Sequence, residues 1–218
     1  MARQAAALLF DMDGLLLDTE RVALETFLEA VGPLGVPREV AEPFFLTLIG
    51  TSTRETRARV ANFLPDVDTA PVIAEWEAGF RARLRAGVPL RPGVGETLPR
   101  LQEAGVRMAV VTSTHGTPAR HHLNNANLLH FFETVTGGDE VSRTKPDPAP
   151  YLETAAKLGV NPVDCAAFED SDRGIAAAVA AGCRAVQIPD LRPAGPLPDL
   201  GQIVASSFIA ALEYFGLP

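Results

Sequence analysis

Five short and nearly unbroken apolar runs, at residues 5–10, 106–111, 133–136, 165–168 and 184–188, set the narrowest limits on how this 218-residue chain folds. Runs of this length and purity are what strands look like when a sheet is covered on both faces. Helical patterns lie between most of them, at 93–104, 118–125, 149–158 and 172–181, with Pro or Gly near their ends. Strand alternating with helix predicts an α/β fold built on a doubly wound parallel sheet. The alternation fails in one place. Residues 20–85 carry four helix-like segments (21–31, 38–48, 53–64 and 70–85), separated by Gly32-Pro33, Gly50 and Pro65-Asp66, and no strand pattern. An all-helical insertion after the first strand predicts a cap domain at 17–88 on a core made of 1–16 and 89–218. The Pro-rich stretch 189–198 reads as an extended surface connection before a last helix at about 206–215.

Composition removes several classes of function. With 47% hydrophobic and 21% charged residues the chain has the makeup of a globular protein, not of a disordered one. Lys and Arg number 19 against 27 Asp and Glu, a net charge of −8, so no general basic surface is available for a phosphate backbone or an anionic membrane. Nucleic acid and membrane are excluded as expected partners. Cys165 and Cys183 stand in separate apolar stretches without a Cys-x-x-Cys or Cys/His grouping, which argues against a zinc site or a disulfide framework. The first apolar run ends at Asp11, too soon for a signal-peptide core or a spanning helix, and the expected location is cytoplasmic.

In open α/β sheets ligands bind outside the carboxyl ends of the strands, so the residues that follow each run carry the functional information. They are Asp11-Met12-Asp13-Gly14, Thr112-Ser113-Thr114, Lys145-Pro146 beyond the third run, and Glu169-Asp170-Ser171. An isolated Asp after a strand is usually a turn or cap residue. The joint order of these groups at successive strand ends points instead to chemistry. Four carboxylates on one rim repel by roughly 4 kcal/mol per pair at 4 Å in an effective dielectric near 20. Lys145 alone cannot offset that, whereas Mg²⁺ can, taking one or two carboxylates and leaving positions for phosphate oxygens.

With these motifs the chain resembles the haloacid dehalogenase superfamily of aspartyl-phosphate hydrolases, in the subgroup of β-phosphoglucomutases and sugar-phosphate phosphatases whose helical cap follows the first strand. The resemblance rests on Phe10-Asp11-Met12-Asp13-Gly14-Leu15 with Asp18-Thr19-Glu20, then Val111-Thr112-Ser113, Lys145-Pro146-Asp147-Pro148, and Glu169-Asp170-Ser171 with Gly174. It implies that Asp11 is the nucleophile and that Asp13 is the general acid and then the base, its backbone carbonyl ligating the metal. Asp11, Asp13 and Asp170 are the implied Mg²⁺ ligands, with Glu169 either a direct ligand or behind them. Gly14, Thr112, Ser113 and Lys145 are the implied holders of the phosphoryl group. In the cap, Glu20, Thr51, Ser52 and Arg54 are candidate substrate contacts.

Within the family, Asp13 argues against a dehalogenase, and the lack of any Lys in the cap argues against Schiff-base chemistry there. Ala23 stands where the mutases carry a cap-entry histidine, and Thr53 where an arginine would hold a second phosphate. The expected activity is therefore hydrolysis of a small phosphorylated metabolite, a sugar or polyol phosphate, by a monomer. The alternatives are β-phosphoglucomutase-type transfer, a nucleotide monophosphate phosphatase, and a non-catalytic binding relative. His121, His122 and His130 read as surface residues, and Trp76 with Phe80 as cap core.

Overall fold

The computed structural model describes residues 5–49, 51, 53–192 and 195–217. Its chain divides into two compact units at Asp18/Thr19, Val88/Pro89, Asp190/Leu191 and Gly195/Pro196. The larger unit holds a six-stranded sheet of β1 (Ala7–Phe10), β2 (Met108–Val111), β3 (Thr134–Thr136), β4 (Cys165–Glu169), β5 (Arg184–Gln187) and β6 (Ile203–Val204). The spatial order is β3-β2-β1-β4-β5-β6, and every pairing is parallel. All four residues of β1 and of β2, and the first four of β4, are buried, with Ala7 to Phe10 at 0% exposure. Burial on both faces is the physical reason that these strands read as continuous apolar runs.

Helices α5 (Val94–Glu103), α6 (Gly116–Asn125), α7 (Ala149–Leu158), α8 (Asp172–Ala180) and α9 (Phe208–Glu213) belong to the same unit. Their ends follow local chemistry. Ser171 caps α8 by accepting from the Gly174 amide, and α7 stops at Gly159, whose φ of 67° is the left-handed conformation that closes a helix. Phe10, Phe168 and Phe208 stack in the core, with ring centroids 5.0 Å apart for Phe10–Phe168 and 5.6 Å for Phe10–Phe208. A second cluster, built on Leu9, Val111, Ala155 and Ile175, includes the fully buried Tyr151.

The smaller unit consists of α1 (Thr19–Val31), α2 (Arg38–Leu46), α3 (Thr53–Phe63) and α4 (Thr69–Ala86), with residues 191–195 grouped with it. Phe27, Phe45 and Trp76 pack edge to face or tilted in its core, and the Trp76 indole donates to the Ala23 carbonyl at 2.9 Å. Asp68 caps α4 through the Ala70 amide. The unit has its own hydrophobic centre, because α1 is buried along Leu24, Phe27, Ala30 and Val31.

Observed boundaries differ from the sequence expectation by a residue or two at most ends. The short edge strand β6 was not expected, since two residues after a Pro-rich stretch carry no periodic signal. No helix among the described residues is long and apolar enough to cross a membrane.

Candidate active site

Following β1 the chain runs outward through β2 and β3, then returns to place β4 on the other side of β1. That reversal makes the crevice between the carboxyl ends of β1 and β4 the switch point at which ligands bind in such sheets. Asp11 follows β1, Glu169 ends β4 and Asp170 follows it. The register holds them side by side, as Phe10 pairs with Phe168 and the Asp11 amide donates to the Phe168 carbonyl at 2.9 Å.

Ligand atoms of Asp11, Glu169 and Asp170 all lie within 4.8 Å of one another. Lys145 reaches into this group, its Nζ 2.6 Å from Asp11 Oδ1, 2.5 Å from Glu169 Oε1 and 2.9 Å from the Val111 carbonyl. Those three bonds use all three ammonium hydrogens. Side-chain exposure is 5% for Lys145, 9% for Asp11 and 0% for Glu169, so these three are screened from water, while Asp170 is half-buried. Burial pushes the Asp11 carboxyl well above the usual carboxylate range, Glu169 and Asp13 push the same way, and Lys145 opposes them. For Lys145, burial alone would lower the ammonium, but Asp11 and Glu169 raise it above its ordinary value. Three carboxylates share this one ammonium, an excess of negative charge. An all-oxygen set with that excess is the donor chemistry that suits a hard divalent cation.

Backbone geometry supports the crowding. Gly14 has φ +79°, and a Cβ there would collide with Asp170 Oδ2. Gly174, in the first turn of α8, packs so tightly on Glu169 that a Cβ would overlap the carboxylate. Its place in the motif is thus steric.

Asp13 lies on the β2 side of the cluster. Its Oδ2 accepts from Thr114 Oγ1 at 2.8 Å and from Thr112 Oγ1 at 3.3 Å, and the Thr112 hydroxyl in turn accepts from the Thr114 amide at 3.0 Å. Ser113 is exposed at the same turn. The loop after β3 holds this turn, with Gly138 N–H donating to the Thr114 carbonyl at 2.9 Å and Asp139 accepting from the Gly116 amide at 2.7 Å. Asp11, Asp13, Gly14, Thr112, Lys145, Glu169 and Asp170 therefore all lie at the carboxyl end of the sheet. The candidates Glu20, Thr51 and Arg54 belong to the helical unit. Thr51 bonds to the Leu48 carbonyl and to Thr56, and Arg54 is exposed on α3. Ser52 lies outside the described residues.

Several groups escaped the sequence reading. Tyr151, on α7, donates its phenol hydroxyl to Glu169 Oε1. Arg173 donates to the Lys145 carbonyl at 2.7 Å, and Gln187 donates to Asp172 at 2.8 Å. Arg91 pairs with Asp190 at 2.8 Å and with Asp18 at 3.5 Å. His122, expected at the surface, is half-buried, and burial lowers its pKa. The only advance signal was the spacing of Tyr151 six residues after Lys145, which would put it inside the first turn of the following helix.

Residues 8–188 match the haloacid dehalogenase-like hydrolase family. The chain is 33% identical over 189 residues to the fructose-1-phosphate phosphatase YqaB of Escherichia coli K12, covering 86% of this chain and 98% of that one. It is 31% identical over 184 residues to a phosphorylated carbohydrates phosphatase of Thermotoga maritima, covering 81% of each. Among solved structures it is similar to a haloacid dehalogenase family hydrolase from Deinococcus radiodurans R1 with bound phosphate and sodium, at a TM-score of 0.82, 28% identity, and 98% and 97% coverage of the two chains. Strand order, buried acidic cluster and family match agree, and the chain is a member of the haloacid dehalogenase-like hydrolases.

Proposed function

We propose that the protein is a Mg²⁺-dependent phosphatase of a small sugar or polyol phosphate that works through an aspartyl-phosphate on Asp11. The observation that carries this reading is the meeting of Asp11, Glu169 and Asp170 within 4.8 Å, with Lys145 bonded to two of the three. The sugar class is supported by the two phosphatases to which the chain is similar.

Asp11, Glu169, Asp170 and the Asp13 backbone carbonyl would hold Mg²⁺, which supplies positive charge against the phosphoryl oxygens. Lys145 holds Asp11 in place and adds charge beside it. An Asp11 oxygen attacks phosphorus, and the bond to the leaving oxygen breaks with its electron pair on that oxygen. Asp13 gives that oxygen a proton, then takes one from the water that opens the aspartyl-phosphate. Ser113, exposed at the turn, would supply a donor to the phosphoryl group, while the Gly14 amide is bonded to the Leu17 carbonyl and the Thr112 amide and hydroxyl to Thr136 and Asp13. Covalent catalysis divides a very slow hydrolysis into two easier steps.

The test is a free-phosphate assay over sugar, polyol and nucleotide monophosphates with Mg²⁺ or chelator, followed by phosphorus NMR. Release from sugar or polyol phosphates that stops with chelator is the expected result. A phosphoryl group that moves between carbons without release overturns hydrolysis in favour of transfer, and preference for nucleotides overturns the substrate class.

A further inference from the structure

We infer that Thr114 is the positioning residue for Asp13 and that its hydroxyl sets how well the enzyme handles poor leaving groups. The inference rests on Asp13 as general acid, the role given above.

Of the two hydroxyls on Asp13 Oδ2, Thr114 is the closer, at 2.8 Å against 3.3 Å for Thr112. The Thr112 hydroxyl also accepts from the Thr114 amide, so it braces the turn while Thr114 addresses the carboxyl. Thr114 has little freedom. Its carbonyl accepts from Gly138, a position where a Cβ would collide with the Ser113 carbonyl, and the next turn is held by Asp139 on the Gly116 amide. A donor so fixed settles the rotation of the Asp13 carboxyl group. Oδ2 therefore faces the two threonine hydroxyls, with Thr114 the nearer.

The electronic consequence follows from the same bond. When the Asp13 carboxyl gives up a proton to the leaving oxygen, negative charge grows on it, and a hydroxyl aimed at Oδ2 strengthens as that charge develops. Proton delivery matters most when the leaving oxygen is basic, as in a sugar or polyol phosphate. It matters least for 4-nitrophenolate, which departs without help. Thr114 should therefore govern selectivity between leaving groups more than affinity.

The experiment compares kcat/KM on 4-nitrophenyl phosphate and on phenyl phosphate for the wild type, Thr114→Val, Thr114→Ser and Asp13→Asn. The ratio of the two rates cancels the fraction of folded enzyme, so partial misfolding of a variant does not mimic the effect. Thr114→Val is expected to raise the ratio by about tenfold, the size of one hydrogen bond to a charged group, and Thr114→Ser to keep the wild-type ratio. A Thr114→Val ratio equal to wild type, or a Thr114→Ser ratio that follows Val, overturns the inference. Should Asp13→Asn leave the ratio unchanged, the general-acid role itself fails. Should Asp13→Asn raise it while Thr114→Val does not, the acid role stands and the positioning role falls.

Discussion

Charge is handled in opposite ways on the surface of the helical unit and at the strand ends of the sheet unit. In the helical unit Arg38 bonds to Glu25 and Glu42, Arg57 to Glu77 and Arg59 to Glu55, all on open surface with side chains 37–58% exposed. Each cation meets its carboxylate partners in water, and such pairs contribute little. Within the sheet unit Lys145 lies 5% exposed between Asp11 and Glu169, with Asp13 and Asp170 at the same strand ends. A fold gains no stability by burying unbalanced charge. The contrast separates charge that water solvates from charge that the fold encloses.

The sharpest break between the two regions should appear in turnover. Asp11→Asn is expected to lower phosphate release by more than about 10³-fold in a direct phosphate assay, because no other described residue stands in its place as nucleophile. Turnover within tenfold of wild type would remove Asp11 from the reaction.

Stability supplies the next contrast. Lys145→Met strands two buried carboxylates and should cost about 3–5 kcal/mol in urea unfolding, the usual penalty for removing one partner of a buried pair. The sign of the pH dependence is set by Asp11. Its folded pKa is raised above the unfolded one, so its contribution is present at acid pH and disappears as pH climbs through the folded value. Without metal, the melting temperature should fall as pH rises above the ordinary carboxylate range. Asp11→Asn should flatten that slope, and Mg²⁺ should raise the midpoint at neutral pH, both read by thermal melts. Smallest of all, Arg38→Ala should leave the urea midpoint unchanged, and a clear loss there would erase the difference between the two regions.

A thiol offers a further sensor. Burial pushes the Cys183 thiol up to about 12, so an alkylating probe at pH 8 should label it only as fast as the unit opens.

Legibility in the sequence divides along physical lines. Strands covered on both faces announced themselves, and α7 over residues 149–158 was read to the residue, because helix periodicity and the flanking Pro148 and Gly159 are local signals. The strand-end residues were legible once the sheet was, since the fold fixes where such ends point. What stayed hidden depends on distance in sequence. Thr114 meets Asp13 across 101 residues, and Tyr151 reaches Glu169 across 18 from within the apolar core. Neither residue differs in pattern from an ordinary cap or core residue. Partner identity is settled by packing, which a linear pattern does not carry.

The two stretches that lead into and out of residues 19–88 lie alongside each other. The Asp18 amide donates to the Pro89 carbonyl at 2.8 Å, and the Arg91 amide to the Leu16 carbonyl at 3.0 Å. To the sheet, everything between them is a closed loop whose ends already meet. Its length can grow, shrink or be replaced by another graft with little entropic consequence for the strands. Descent can then revise the helical unit while the strand ends of the sheet are inherited intact.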